Sequence, residues 1–306
     1  MIAGPPVTDT ELPLDLFARG KVRDTYVLND NELLMVATDR ISAFDHVLPN
    51  GIPDRGKVLT QLSIFWFSQT DTFQPNHLIS GMVPDLPAVL KNFREELAGR
   101  FMIVRKAKRI DFECVVRGYL AGSAWKEYEE SQTLAGETMP PGLQQSDKLA
   151  YPIFSPATKA ETGHDENITF DQMKKELGDE LATKLRDASF ELYKYASEFA
   201  ARRGLILADT KFEFGQIDDD VILIDEVLTP DSSRYWDAAT YRVGTSPDSY
   251  DKQFVRDWLT RSGWDKESEP PKLPDDVVAQ TRLRYLTAYQ RLVGKQLFPP
   301  KPRNET

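Results

Sequence analysis

The chain has 306 residues, 41% of them hydrophobic and 10% aromatic, enough to bury one large core or two ordinary ones and too apolar for whole-chain disorder. Its formal charge of -10 makes it a poor general partner for nucleic acid or anionic membrane, and no apolar run approaches the ~20 residues of a membrane span. The single cysteine, Cys114, permits no intramolecular disulfide, and the first sixteen residues lack the basic and apolar stretches of a secretory signal, so a cytoplasmic protein is expected.

Residues 1 to about 12 read as a loose arm. A strand follows over 21–28, a turn at Asn29-Asp30-Asn31 and a return strand over 32–38. A helix rich in aromatics is expected over 58–70, then an irregular proline-bearing stretch over 71–87. Strands are expected over 101–107 and 112–118, joined by a connection at 106–111. Residues 136–168 read as a long loop, and long loops are commonly functional. Helix returns over 170–203, broken near Gly178 and closed by Gly204. A second hairpin spans 205–214 and 221–227 around Asp218-Asp219-Asp220, and amphipathic helices are expected near 248–262 and 274–293. The sum is an α+β protein of two lobes with a cleft between them: a β-rich lobe over 1–107, and a larger α+β lobe over 108–306 that ends in helices.

Several constellations carry chemistry. In Gly20-Lys21-Val22-Arg23-Asp24, strand alternation puts Lys21 and Arg23 on one face, a phosphate cover or a solvated basic edge. Gly51 to Lys57 has Walker A spacing, but Val58 stands where a Ser or Thr must meet Mg²⁺ and Pro53 removes a backbone donor, so no P-loop is read; no G-x-G-x-x-G occurs either. In 208–215, Asp209, Lys211 and Glu213 share one strand face while Phe212 and Phe214 take the other. With a three-residue turn at 218–220, Glu213 lies opposite Asp225. Facing carboxylates repel, a cost that a divalent cation removes, and Mg²⁺ commonly takes one or two carboxylates with phosphates and waters. Lys211 neutralising the pair as an ordinary salt bridge is the alternative. Arg117 and Ser123, Asp231 and Arg234, and the stretch 155–167 with Lys159 and Asp165 add arginines, hydroxyls and carboxylates in loop-rich surroundings. The three histidines fall at no zinc spacing, and Cys114, in a strand-like run, reads as a buried inert thiol.

Six segments in this order, GKVRD, ATDRISAFD, VVRGYLAGSAWKEY, SPATKAETGHDEN, ADTKFEFG and DEVLTPDSSRYW, resemble the SAICAR synthetase family, also called phosphoribosylaminoimidazole-succinocarboxamide synthases, with the monomer-type fungal enzymes looking most similar. The resemblance runs from about Gly20 to Leu292. It implies a ligase of de novo purine biosynthesis in which ATP phosphorylates the carboxylate of carboxyaminoimidazole ribotide and the amine of L-aspartate displaces the phosphate. Carried over by motif, it implies Gly20, Lys21, Arg23 and Lys159 on the ATP phosphates, and the connection from about Val104 to Ile110, Lys106 included, against adenine as in a kinase hinge. It places Glu213 and Asp225 on Mg²⁺ beside ATP. Arg117, Ser123, Asp165 and Arg234 fall on the ribotide, Lys211, Asp231 and Arg234 at the chemistry, and Asp39, Arg40 and Ser42 along the cleft. A monomer acting on small molecules is implied, with neither nucleic acid nor membrane as partner. A kinase, the competing enzyme, requires H-R-D and D-F-G strings that do not occur.

Overall fold

The computed structural model describes residues 4–159 and 166–298. Two antiparallel sheets organise it. The first has five strands in the spatial order Leu16–Arg19, Arg23–Asn29, Glu32–Ala37, Phe101–Arg105 and Leu78–Ser80. The second is built on the 13-residue strand Leu205–Ile217. The first half of that strand pairs with Phe112–Tyr119 and Ser233–Asp237, and the second half with Asp220–Ile224 and Lys108–Arg109. Lys148–Phe154 extends the sheet beyond Phe112–Tyr119. No described helix is long and apolar enough to cross a membrane.

The main core is shared by both sheets. Leu33, Met102 and Val104 of the first sheet join Phe112, Phe212 and Phe214 of the second, with Trp66 and Phe67 of helix Arg55–Thr70, Phe199 of helix Asp179–Ala201 and Tyr285 of helix Asp275–Val293. Such continuity fixes how the sheets face each other, because close-packed interiors resist sliding. A second cluster places Ile41, Ala43, Leu48 and Ile52 against Val255 and Leu259 of helix Gln253–Arg261, so the tail folds back onto the segment 41–52. Gly56, second in its helix, lies against the end of strand Glu32–Ala37, where any Cβ would collide with the Ala37 carbonyl.

Helix Phe170–Leu177 gives way to Asp179–Ala201 at Gly178 (φ 82), and the tail helices and first hairpin stand where the apolar periodicity puts them. Four expectations are corrected. The arm is docked: the Thr10 hydroxyl donates to Asp24 (2.7 Å) and the Val7 amide to Asp39 (2.8 Å). The stretch 136–168 is not one loop, since Lys148–Phe154 and Ala157–Thr158 are strands. Pro152 is tolerated because the pairing shifts register between Lys148 and Ile153. The leading strand of the first hairpin starts at Arg23, not Lys21, and a further strand, Leu16–Arg19, precedes it. The Gly20 amide donates to the Arg23 carbonyl (2.7 Å), so Lys21 sits in a turn and does not share a strand face with Arg23. Finally, the second hairpin turns in two residues, with Asp218 at φ 53. Ile217 therefore pairs with Asp220 and Glu213 with Ile224, one residue out of the expected register.

Candidate active site

The spine of the site is the alternation Asp209, Lys211, Glu213 along the long strand, backed by Phe212 and Phe214, which are buried in the core. Around Glu213 gathers one cluster of charges. Lys159 binds its carboxylate directly, and the Lys211 ammonium lies between Glu213 (4.0 Å) and Glu113, to which it is hydrogen-bonded. Asp225 lies just past its strand with φ 64, a left-handed conformation that turns it out of the strand pattern, so the pairing slip does not remove it from the cluster. Its carboxylate receives Arg23 Nη2 at 2.5 Å, while Arg23 Nη1 lies 3.4 Å from Glu226. That pair crosses from the first sheet to the second. Lys21, half-exposed, reaches Asp45 instead.

The titration behaviour follows from this crowding. Burial and the neighbouring Asp225 both push Glu213 above the usual carboxylate range. Burial would raise Asp225 too, but Arg23, Lys159 and Lys211 outweigh it and hold that carboxyl low. Lys211 and Arg23 stay charged: burial disfavours their cations, and the surrounding carboxylates more than restore them. Two carboxylates repelling across a shared space, with cations close by, suit a divalent ion and the phosphates it accompanies. Among the described residues no group of three or more His, Cys, Asp or Glu side chains converges on one point, so a metal here would complete its shell with substrate and water oxygens.

At the other end of the spine, Asp209 anchors two arginines, Arg234 Nη1 at 2.6 Å and Arg117 Nη1 at 3.8 Å. Arg117 Nη2 donates to Ser123 Oγ (3.1 Å), and Arg234 Nε lies 3.5 Å from Asp251. Gly122 (φ 59) lets the backbone approach Arg234; a Cβ there would lie 2.7 Å from Nη2. Ser123 and Arg234 open on a cavity of about 630 Å³ that Trp125, Arg256, Phe44 and Lys266 also line.

The other expected site residues stand in differing surroundings. Arg40 spends its guanidinium on Asp24 and on the Thr8, Gly20 and Lys21 carbonyls, shaping the Gly20–Lys21 turn. Asp39 does not line the cleft: it is fully buried, held by Arg100 and the Val7 and Gly56 amides. Ser42 is half-buried in a two-residue strand paired to Val47. Val104 is buried, its strand flanked on both sides, and the Lys106 ammonium sits 5.5 Å from the centre of the Phe17 ring. Asp231 is buried among Arg55, Lys252 (2.7 Å) and the Tyr285 hydroxyl (2.7 Å), in the loop that leads to Arg234. Asp165 lies outside the described residues. Cys114 is buried and its thiol is pushed up to about 12, away from nucleophilic use.

Sequence reasoning missed Glu113, Arg256, Lys252 and Arg55. Glu113 had a signal, a lone carboxylate in the apolar run 112–116, two residues from Val115 and four from Arg117 on the same strand face. Lys252 and Arg256 are spaced four apart at the start of an amphipathic helix, a pattern shared by countless surface helices.

The SAICAR synthetase family model matches residues 16–271. The phosphoribosylaminoimidazole-succinocarboxamide synthase of Syntrophobacter fumaroxidans is 52% identical over 95% of this chain and 97% of its own length; that of Elusimicrobium minutum is 50% identical over 94% and 98%. A solved SAICAR synthase from Saccharomyces cerevisiae, complexed with SAICAR, superposes with a TM-score of 0.86 at 44% identity, covering 95% of this chain and 99% of that one. The bacterial relatives share more identity than the yeast enzyme, so a particular kinship to the fungal enzymes is not supported. The chain belongs to the SAICAR synthetase family and catalyses its reaction, the ATP-dependent ligation of L-aspartate in purine biosynthesis.

Proposed function

We propose that the two ends of the Asp209–Lys211–Glu213 face divide the reaction between them, nucleotide at Glu213 and ribotide at Asp209. The observation that carries this reading is the single strand face with a carboxylate-and-lysine cluster at one end and two arginines with a serine beside a cavity at the other. The carboxylate oxygen of carboxyaminoimidazole ribotide attacks the γ-phosphoryl of ATP, releasing ADP; the L-aspartate amine then attacks the acyl carbon, expelling phosphate and losing a proton as the amide forms. Lys211, midway along the face and held cationic, meets the ribotide carboxylate and the transferring phosphoryl group, where developing negative charge is greatest. Lys21, Arg23 and Lys159 take the remaining phosphate charge, exchanging internal carboxylates for substrate oxygens. Glu213 and Asp225 would hold Mg²⁺, which when bound neutralises the polyphosphate. The connection from Val104 to Ile110 forms the adenine side, and Arg117, Ser123 and Arg234 bind the ribotide. We include in the reading a monomer working in the cytoplasm on small molecules alone.

ADP release by the purified protein, with ATP, Mg²⁺, ribotide and L-aspartate each omitted in turn, tests the whole. Dependence on all four is expected; ATP turnover indifferent to ribotide and aspartate would sink the assignment of acceptor. For the division of the site, Arg234→Ala is expected to raise the ribotide or aspartate KM about tenfold or more with little change in the ATP KM, since it removes a buried, charge-assisted donor. Unchanged KM values for both acceptors would place Arg234 outside the site.

A further inference from the structure

The cations around the nucleotide cluster are all matched to carboxylates, but those around the cavity are not. Of its four lining cations, Arg234 is paired with Asp209 and Asp251, whereas Lys126, Arg256 and Lys266 make no ion pair with any described residue; Glu129 is the one carboxylate side chain among the lining residues. In a chain of net charge -10, that surplus is a local field favouring an anion.

Lys266, an exposed side chain that lines this cavity, stands on a built support. Its ammonium lies 4.5 Å from the centre of the Phe44 ring, and both side chains line the cavity. Phe44 (φ 49), Asp45 (φ 65) and Lys266 (φ 67) all adopt left-handed backbone that side chains with a Cβ disfavour, a conformation that persists where the surroundings impose it. Those surroundings are visible. Trp264 packs against Phe44 (6.3 Å) and edge-on to His46 (5.2 Å), and Asn50 exchanges two hydrogen bonds with the Leu273 backbone (3.0 and 2.9 Å). The segment after helix Gln253–Arg261 is thus pinned to the hairpin at 42–47, and Lys266 is held on the lining that Ser123 and Arg234 share.

We propose that Lys266, held over Phe44, is a capture residue for the ribotide: a charge at the cavity rim that draws in the substrate's phosphomonoester dianion before Ser123, Arg234 and Arg256 hold it. This rests on the reading that the cavity houses the ribotide. A rim charge acts on association and on its salt dependence more than on the chemical step. It therefore affects kcat/KM for one substrate and leaves kcat alone.

The test compares Lys266→Gln, Lys266→Glu and Lys266→Arg with the parent, measuring kcat/KM for ribotide from low to high ionic strength, KM for ATP, and thermal midpoint. Expected are a fall in kcat/KM for ribotide of about three- to fivefold in the glutamine variant and more in the glutamate variant. The salt dependence is expected to flatten in both, the arginine variant to match the parent, and kcat and the ATP KM to stay unchanged. A lowered midpoint with unaltered ribotide kinetics would make Lys266 a structural clip and overturn the proposal. Arg256→Ala separates the two levels. If it raises the ribotide KM while Lys266→Gln does nothing, the cavity assignment stands and the capture role falls; if neither variant alters ribotide kinetics, both fall.

Discussion

Alanine at Glu213 or at Asp225 is expected to lower kcat by at least about 10³-fold while leaving the protein folded, the loss typical of removing preorganised charge from a phosphoryl-transfer site. The two carboxylates are unlike in a way that suits a metal site. Glu213 is pushed up by burial and by Asp225; Asp225 is held down, against burial, by Arg23, Lys159 and Lys211. Those cations balance the pair in the ligand-free chain, and they are the groups that the triphosphate will recruit. Once they turn to phosphate, the carboxylates require another positive partner, which Mg²⁺ arriving with the nucleotide supplies. The fold tolerates the change because the backbone around Glu213 is fixed by strand pairing on both sides and by Phe212 and Phe214 beneath. The check is kcat across an Mg²⁺ titration, with Mg²⁺·ADP binding followed by calorimetry and a thermal melt of each variant. Near-normal kcat in both variants at saturating Mg²⁺ would remove the metal from this position. Lost binding of Mg²⁺·ADP with retained melting would secure it.

What was legible in the sequence was whatever depends on local pattern. The break at Gly178, the helix Asp275–Val293 and the shared face of Asp209, Lys211 and Glu213 follow from periods of 3.6 and 2 and from glycine at a positive φ. What was not legible depends on how segments meet. The strand Lys148–Phe154 hid behind Pro152, which an edge position with a register shift accommodates. The hairpin register turned on whether Asp218-Asp219 or Asp218-Asp219-Asp220 makes the turn, which no side-chain pattern distinguishes. The site partners were harder still. Arg23 meets Asp225 across 202 positions and Arg55 meets Asp231 across 176, pairings invisible to any window of sequence. Motif resemblance supplied Glu213, Asp225, Arg117 and Arg234 without these contacts; it could not show that each is already neutralised within the chain.

Asp231→Asn, finally, is expected to cost the fold about 3–5 kcal/mol near neutral pH, the usual result of removing one partner from a buried ionic group. The side chain keeps its shape, so the loss reports charge. Asp231 is the meeting point of four elements: Arg55 opens helix Arg55–Thr70, Lys252 precedes helix Gln253–Arg261, Tyr285 lies on helix Asp275–Val293, and Asp231 itself lies in the loop leading to Ser233 and Arg234. Burial would raise its carboxyl, but Arg55 and Lys252 hold it far below the usual range. A carboxyl depressed in the folded state stabilises above its unfolded value, near 3.8, and that stabilisation drains away as the pH falls through the folded value. The gap between parent and variant should therefore be full at pH 7 and shrink in strong acid. In the variant, Arg55 and Lys252 face each other without an anion between them. Lys252, whose pKa burial already lowers despite Asp231, then sheds its proton more readily, and because the unfolded chain keeps that proton, the variant recovers part of its stability as the pH rises. Urea unfolding across pH reads both limbs. A loss below about 1 kcal/mol with kcat intact would mean the network is dispensable. A collapse of kcat with stability intact would mean that Asp231, buried as it is here, reaches the substrate during turnover.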